Sequence, residues 1–459
     1  MSRPLWTPAA ERIEKSNMTR FMRRVDSKLN LSLNTYADLY KWSVDQIEEF
    51  WAEIYEASGL IHSGPYSSVL SERIMPGARW FEDARLNFAE NLLRYRDNRT
   101  AIIHWREGRQ PESVSFAELY DMVAGISCGL RNLGVKPGDR VAGYLPNIPE
   151  TVIAMLATTS LGALWSSCSP DFGLQGALDR FSQIHPKVLF TTNGYSYQGK
   201  SFDLLPRARQ LAESIDSLQN VVVISSIESL VGESVIGSVS WEKLMAEGAG
   251  DTTGAAGLSF HQAPFDHPVY IMYSSGTTGK PKCIVHGAGG TLLQHWKEHA
   301  LHTDLTRDDT IFYFTTCGWM MWNWLVSALQ VGATIVLYDG SPAYPALDAL
   351  WRAIEDEKIT VFGSSPKYLS ICQKQGLQPG KQFDLSSLKT VLSTGSPLPA
   401  ESFRWVYDEV GDDLQLSSIS GGTDIISCFM LGNPILPVYS GEIQSRGLGM
   451  KVESFNDNG

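Results

Sequence analysis

Residues 273–282, Tyr-Ser-Ser-Gly-Thr-Thr-Gly-Lys-Pro-Lys, combine what the phosphates of a nucleotide require. The hydroxyls of Ser274, Ser275, Thr277 and Thr278 and the backbone N–H groups supply donors. Gly276 and Gly279 allow close approach, and Lys280 and Lys282 supply charge. The chemistry implied is capture of a polyphosphate, with ATP the expected ligand. This is not a Walker-type loop, because the positions that need a first glycine and a final Ser or Thr hold Ser274 and Pro281. A polar turn between two strands is the alternative reading.

Two shorter stretches follow in order, Ser393-Thr394-Gly395-Ser396-Pro397 and Ser420-Gly421-Gly422-Thr423-Asp424. With the loop, they resemble the motifs of the adenylate-forming enzymes, which include acyl-CoA synthetases, firefly luciferase and peptide-synthetase adenylation domains. The first is similar to the adenine-contacting motif, and the second takes the place of the aromatic-rich Thr-Glu motif. Four longer runs narrow the resemblance to the acyl-CoA synthetases that act on acetoacetate: PDFG at 170–173, DRFSQI at 179–184, GWMMWNW at 318–324 and SGGTDIISCFM at 420–430. The similarity covers nearly the whole chain.

The resemblance implies a ligase that uses ATP, Mg²⁺ and CoA. A carboxylate cannot be attacked by a thiol until its oxygen becomes a good leaving group, and transfer of AMP from ATP makes acetoacetyl-AMP, which CoA then attacks. Such a site must neutralise phosphate charge and align the acid with the α-phosphorus. The family pattern places the leaving pyrophosphate on Ser274 to Lys282, with Lys280 catalytic, and adenine on Gly395, Ser396 and Pro397. Ser420, Gly421 and Gly422 complete the nucleotide site. Thr423 matches the threonine at the α-phosphate, and Asp424 stands where most members carry a glutamate that helps bind Mg²⁺. Trp319, Met320, Met321 and Thr394 match the acyl pocket. Gly421 takes the place of a tryptophan that closes the pocket of acetyl-CoA synthetases, so it is expected to open this one. Asn323, one helical turn beyond Met320, is the candidate donor to a 3-oxo group, because a hydrogen bond to a substrate oxygen discriminates better than one methylene. Tyr197, Gln198, Gly199 and Lys200 resemble the turn that contacts the phosphates of CoA. The same pattern puts a ribose-binding aspartate, a hinge and a small C-terminal domain with a bridging lysine beyond Gly459. Two other readings stay open: a non-catalytic nucleotide- or acyl-binding protein, and a ligase for another short acid.

The 459 residues can bury a large core, and 43% hydrophobic with 19% charged residues is ordinary for a globular protein. A net charge of −12 argues against a nucleic-acid partner and requires that anionic ligands be held by local donors. The six cysteines are scattered with no C-x-x-C pair, which fits neither a zinc site nor a disulfide framework and points to a reducing cytosol. The first 21 residues have no apolar core of signal-peptide length. Residues 311–338 lack charged side chains, but Cys317-Gly318, Asn323, Gln330 and Gly332 break them into strand, helix and strand rather than a membrane span.

Positioning these residues calls for an α/β fold. Residues 1–90 read as a helical N-terminal extension, with a helix capped by Ser43 and Gln46 that presents Ile47, Phe50, Trp51 and Ile54 on one face before Gly59. Residues 91–459 read as the adenylation domain, in which helices alternate with short apolar strands. Strands are expected at 140–145, 187–191, 221–225, 269–273, 311–314, 334–338 and 360–362. Helices are expected from Ser115 (capped with Glu118), from Pro149, over 290–301 and around Leu350. Alternation of this kind makes parallel sheets covered by helices, with ligands at the carboxyl ends of the strands. The segment GAGDTTGAAGLS at 248–259 reads as a surface loop, and the tail MKVESFNDNG as a strand followed by a turn.

Overall fold

The computed structural model describes residues 3–230, 235, 237–249, 258–274 and 279–459. Two seven-stranded sheets dominate it. The first runs in the order Val239–Ser240, Asn220–Ile224, Val188–Thr192, Arg140–Tyr144, Leu164–Cys168, Pro268–Ser274 and Lys282–Gly287, parallel except for the last strand. The second runs Gln415–Ser418, Thr390–Ser393, Val361–Ser364, Thr310–Tyr313, Thr334–Asp339, Thr100–Arg106 and Glu112–Ser115, again parallel except at the final edge. A small antiparallel sheet of Ser420–Gly422, Ser427–Leu431 and Ser445–Arg446 follows the second.

The helix Pro149–Ser160 shows why the sheets hold together. Proline opens it without losing a needed N–H, and every residue except Glu150 is buried. Its Thr151, Thr158, Thr159 and Ser160 hydroxyls donate to backbone carbonyls, so the helix needs no water-facing side and is enclosed by the core. The strand, helix and strand expected in residues 311–338 are present as Thr310–Tyr313, Met320–Val326 and Thr334–Asp339. Among the described residues no helix is long and apolar enough to cross a membrane.

The N-terminal helices are tied to the far end of the chain. The Tyr40 hydroxyl donates to the Met450 carbonyl at 2.9 Å, and the Ser43 hydroxyl accepts from the Gly449 N–H at 2.9 Å. That contact corrects the expected cap. Ser43 lies inside the helix Tyr36–Asp45, whose capping box is Thr35 with Asp38, and the next helix, Ile47–Ala57, begins without a side-chain cap. The Phe50 and Ile54 side chains on its apolar face are fully buried. The Ser115–Glu118 capping box does form. The helix expected over 290–301 starts two residues earlier, as Ala288–Trp296, and continues as the π-helix Lys297–His302. The tail from Lys451 onward forms no strand, and Val452 N–H instead donates to the Tyr40 hydroxyl at 3.1 Å. Most of the 248–259 segment lies outside the described residues.

Candidate active site

The carboxyl ends of the parallel strands Thr390–Ser393 and Gln415–Ser418 release the chain into residues 394–398 and 419–423. Between these segments and the start of the helix Met320–Val326 lies a cavity of about 500 Å³. It gathers the expected acid-side residues Trp319, Met320, Met321 and Thr394 with the expected nucleotide-side residues Gly395, Ser396, Pro397, Ser420, Gly421, Gly422 and Thr423. Open α/β sheets bind ligands at this end of their strands. Gly395 turns the chain with φ +102°, a conformation that excludes most side chains. The Thr394 hydroxyl donates to the Ile419 carbonyl at 2.8 Å and so fastens one loop to the other. Gly441, Glu442 and Ile443, which fall within the stretch that resembles the family but were not assigned to the site, form a further wall.

Gly421 does not leave a space that a larger side chain could fill. A Cβ built there would overlap the Ser427 carbonyl oxygen and lie 2.5 Å from Cys428 Cα, both backbone atoms of the paired strand. The glycine is required for close strand contact, which corrects the expectation that a side chain here would enter the pocket. At Gly422, by contrast, the nearest atom to such a Cβ is Asp424 Oδ2 at 3.8 Å.

Three sequence runs meet at the mouth. Trp319, 57% exposed, lies 5.6 Å from the Phe172 ring, and the Arg180 guanidinium sits 4.3 Å from that ring and 5.6 Å from the ring of Tyr273. A Cβ on Gly318 would overlap Phe172, so that glycine permits the contact. Asn323 is not brought to the large cavity. It is buried beside Tyr270 and Cys317 at a separate small void.

The expected phosphate loop connects two antiparallel strands, with Ser274 opposite Lys282. Ser275, Gly276, Thr277 and Thr278 lie outside the described residues. Gly279, Lys280 and Lys282 are exposed, and the Gln183 side chain donates to the Pro281 carbonyl at 2.9 Å, holding the end of the hairpin on the helix Gly173–Ile184. His286, on the returning strand, contacts the Thr423 carbonyl at 2.7 Å. Burial lowers its pKa, so the neutral ring donates through Nε2 and ties the hairpin to the Thr423 turn. Sequence reasoning missed His286, which has no motif of its own. Asp424 is exposed and, among the described residues, has no hydrogen-bond or ion-pair partner.

Gln198 and Gly199 form the tight turn of the hairpin between Gly194–Tyr197 and Lys200–Asp203, both with positive φ. Their N–H groups already donate to Glu107, at 3.0 and 2.9 Å. At this turn, attraction for an anion therefore rests on the exposed Lys200 side chain rather than on free backbone donors. The turn is not part of the large cavity.

Residues 88–446 match the family model described as AMP-binding enzyme, and residues 36–92 match that of the acetyl-coenzyme A synthetase N-terminus. The chain belongs to the AMP-binding enzyme family. Within it, the chain is 48% identical to an acetoacetyl-CoA synthetase of Gallus gallus, an alignment covering 100% of this chain and 69% of the relative. It is 47% identical to the acetoacetyl-coenzyme A synthetase of Rhizobium meliloti (strain 1021), over 100% of this chain and 70% of that protein. Among solved structures, an acetoacetyl-CoA synthetase from Streptomyces lividans matches with a TM-score of 0.94 at 45% identity, covering 100% of this chain and 70% of that one.

Proposed function

We propose that the protein activates acetoacetate with ATP to acetoacetyl-AMP and pyrophosphate, then transfers the acyl group to CoA with release of AMP. The observation that carries this is the single cavity in which Gly395 to Pro397 and Ser420 to Thr423 face Trp319, Met320 and Met321. A nucleotide and a small acid held there would meet with the carboxylate near the α-phosphorus, which is the geometry adenylation needs. Thioether walls suit a short, partly polar acyl chain. In this reading Thr423 contacts the α-phosphate, and the hairpin from Ser274 to Lys282, with Lys280, takes the charge of the leaving pyrophosphate. Lys200 and its turn (Tyr197, Gln198, Gly199) meet the phosphates of CoA.

Mg²⁺ fits Asp424 as one exposed carboxylate that is unpaired among the described residues, with the remaining ligands coming from phosphate oxygens and water, a common arrangement for this ion. Among the described residues no group of three or more metal-binding side chains competes for that assignment. When bound, the ion would screen phosphate charge. We place the boundary between the N-terminal extension and the adenylation domain near residue 90, supported by two family models that meet at residues 88–92. A cytosolic location is supported by six free cysteines.

The test is pyrophosphate release from ATP that requires acetoacetate, followed by acetoacetyl-CoA formation that requires CoA. Release that ignores the acid, or ATP binding with no release, would overturn the proposal.

A further inference from the structure

Building on the acid-activating reading, we infer that the helix Ala288–Trp296 and its π-helical continuation Lys297–His302 form a bracket that sets the width of the acid end of the cavity. Glu298 is the positioning residue of this bracket. Two walls flank that end. One is the helix Met320–Val326, which carries Met320 and Met321 into the cavity. The other is a strand pair: Ser420–Gly422 lines the cavity, and Ser427–Leu431 backs it, its backbone pressing on Gly421 so closely that no Cβ fits between them.

Glu298 grips both walls. Its Oε2 accepts from the Trp324 indole N–H at 2.8 Å, on the helix wall. Its Oε1 accepts from the Ser427 hydroxyl and, at 3.2 Å, from the Cys428 N–H, on the strand wall. His295, three residues earlier, makes a second bridge of the same kind. Nδ1 meets the Ser327 hydroxyl at 2.7 Å, just past the helix wall, and Nε2 donates to the Ile426 carbonyl at 2.6 Å, just before the strand wall. His299 adds a 2.7 Å bond to the Trp324 carbonyl. The extra residue of the π-helix alters the register at this point, and such turns gather at functional sites.

A packing role alone does not account for this choice of residues. Glu298 is fully buried, and a buried carboxylate costs free energy that a well-packed apolar side chain avoids. What the carboxylate supplies instead is direction: Oε2 is fixed on the helix wall and Oε1 on the strand wall, with the Gln294 side chain donating to Oε1 at 3.1 Å and the buried Lys297 ammonium 3.9 Å from it as the neighbouring cation. A shift in the strand wall moves the Gly421 backbone, and a shift in the helix wall moves Met320 and Met321. The bracket therefore acts on the acid and not on the adenine loop at 395–397.

The test is Glu298→Gln, which keeps volume but cannot accept on both sides, with Trp324→Phe cutting only the helix arm. We would measure kcat/KM for acetoacetate and for its one-carbon homologue 3-oxopentanoate, KM for ATP, and amide hydrogen exchange. The expected result in Glu298→Gln is a loss of about tenfold in the selectivity ratio, the scale of one misfitted methylene, with KM for ATP within about twofold. Amides of 320–326 and 427–431 should exchange faster together while those of 361–364 hold, and Trp324→Phe should release 320–326 first. An unchanged ratio with unchanged exchange would overturn the inference, as would an equal loss for both acids and ATP. If the wild-type chain activates neither acid, the proposed function falls. Exchange still decides the bracket in that case: independent loosening of the two walls would refute it, and joint loosening would uphold it.

Discussion

Replacing Gly421 with alanine adds one methyl group, yet should cost more than any other single-methyl change in the site. Its φ is not positive, so alanine gains the usual benefit of a less flexible unfolded chain, about 0.4–1 kcal/mol. Against that, the new Cβ overlaps the Ser427 carbonyl oxygen and lies 2.5 Å from Cys428 Cα and 2.8 Å from the Ser427 carbonyl carbon. Overpacking typically costs about 1–3 kcal/mol, and backbone neighbours that cannot rotate away put this case at the upper end. The net expectation is a loss of about 2 kcal/mol. Gly422→Ala is the matched control, since it has extended backbone and 3.8 Å of clearance, and should be neutral or slightly stabilising. With 459 residues unfolding together, the entropy at the midpoint is about 1 kcal/mol per degree, so melting would shift only about 2 °C. Equilibrium urea midpoints are the better assay, read alongside kcat/KM for acetoacetate. Equal midpoints for Gly421→Ala and Gly422→Ala would show that the strands have room and that the account of Gly421 is wrong.

Further expectations concern the chemistry and its surroundings. Thr423→Ala and Lys280→Ala should each slow adenylation by about 10²–10³, the usual effect of losing one aimed donor, at unchanged stability; a wild-type rate in Lys280→Ala would leave the hairpin a mere turn, and one in Thr423→Ala would remove Thr423 from the α-phosphate. Asp424→Asn should raise the Mg²⁺ concentration needed for half-maximal rate without altering the urea midpoint, because the side chain is exposed and, among the described residues, makes no hydrogen bond or ion pair; an unchanged Mg²⁺ requirement would remove it from the metal site. Acidification from pH 7 to 5 should lower stability. Burial depresses His295 to about 4 and His104, His299 and His302 to about 3, so their stabilisation is present above the unfolded value near 6.5 and is lost as pH falls. Each loses about 2 kcal/mol by pH 5, while Asp339 and Asp304, raised by burial to about 7 and about 6, partly offset this; a higher urea midpoint at pH 5 would refute the balance.

The legible part of the sequence was what repeats locally. The short run 334–338, rich in β-branched and aromatic side chains, reads as a buried strand, and Ser115 with Glu118 marks a helix start because both groups act within one turn. Strands Leu164–Cys168, Thr390–Ser393 and Gln415–Ser418 were not foreseen, since serine and glutamine hide them from an apolar reading. Their side chains are buried because neighbours elsewhere in the chain accept them: the Ser166 hydroxyl donates to the Ile271 carbonyl at 2.8 Å. Ser43 misled for the same reason. Its hydroxyl serves Gly449, a residue 406 positions away, and no window around Ser43 contains that information. The motif residues that line the cavity were visible because a motif is recognised by residue type and spacing. Asn323 was placed by helical spacing from Met320, which fixes a face of the helix but not which of two voids that face meets.

The site's walls and its chemistry depend on different kinds of residue. In the proposed function the chemistry rests on exposed or half-buried groups, Lys280, Thr423 and Asp424, which can be replaced with little loss of stability because few protein atoms rest on them. Positioning is carried by the fully buried His295 and Glu298 and by Gly421, whose backbone is held against the neighbouring strand, and their replacement must disturb several segments at once. Selectivity among acids that differ by one carbon is a matter of fractions of an ångström in wall separation. A flexible thioether lining cannot supply it alone, because methionine adapts to what it meets. The lining is held instead on a helix whose distance from the opposite strand is fixed by hydrogen bonds of defined length. Adaptable methionines on a rigid mount give a pocket that tolerates the shape of an acyl chain while still limiting its size, and Glu298, touching both mounts, is where that limit is set.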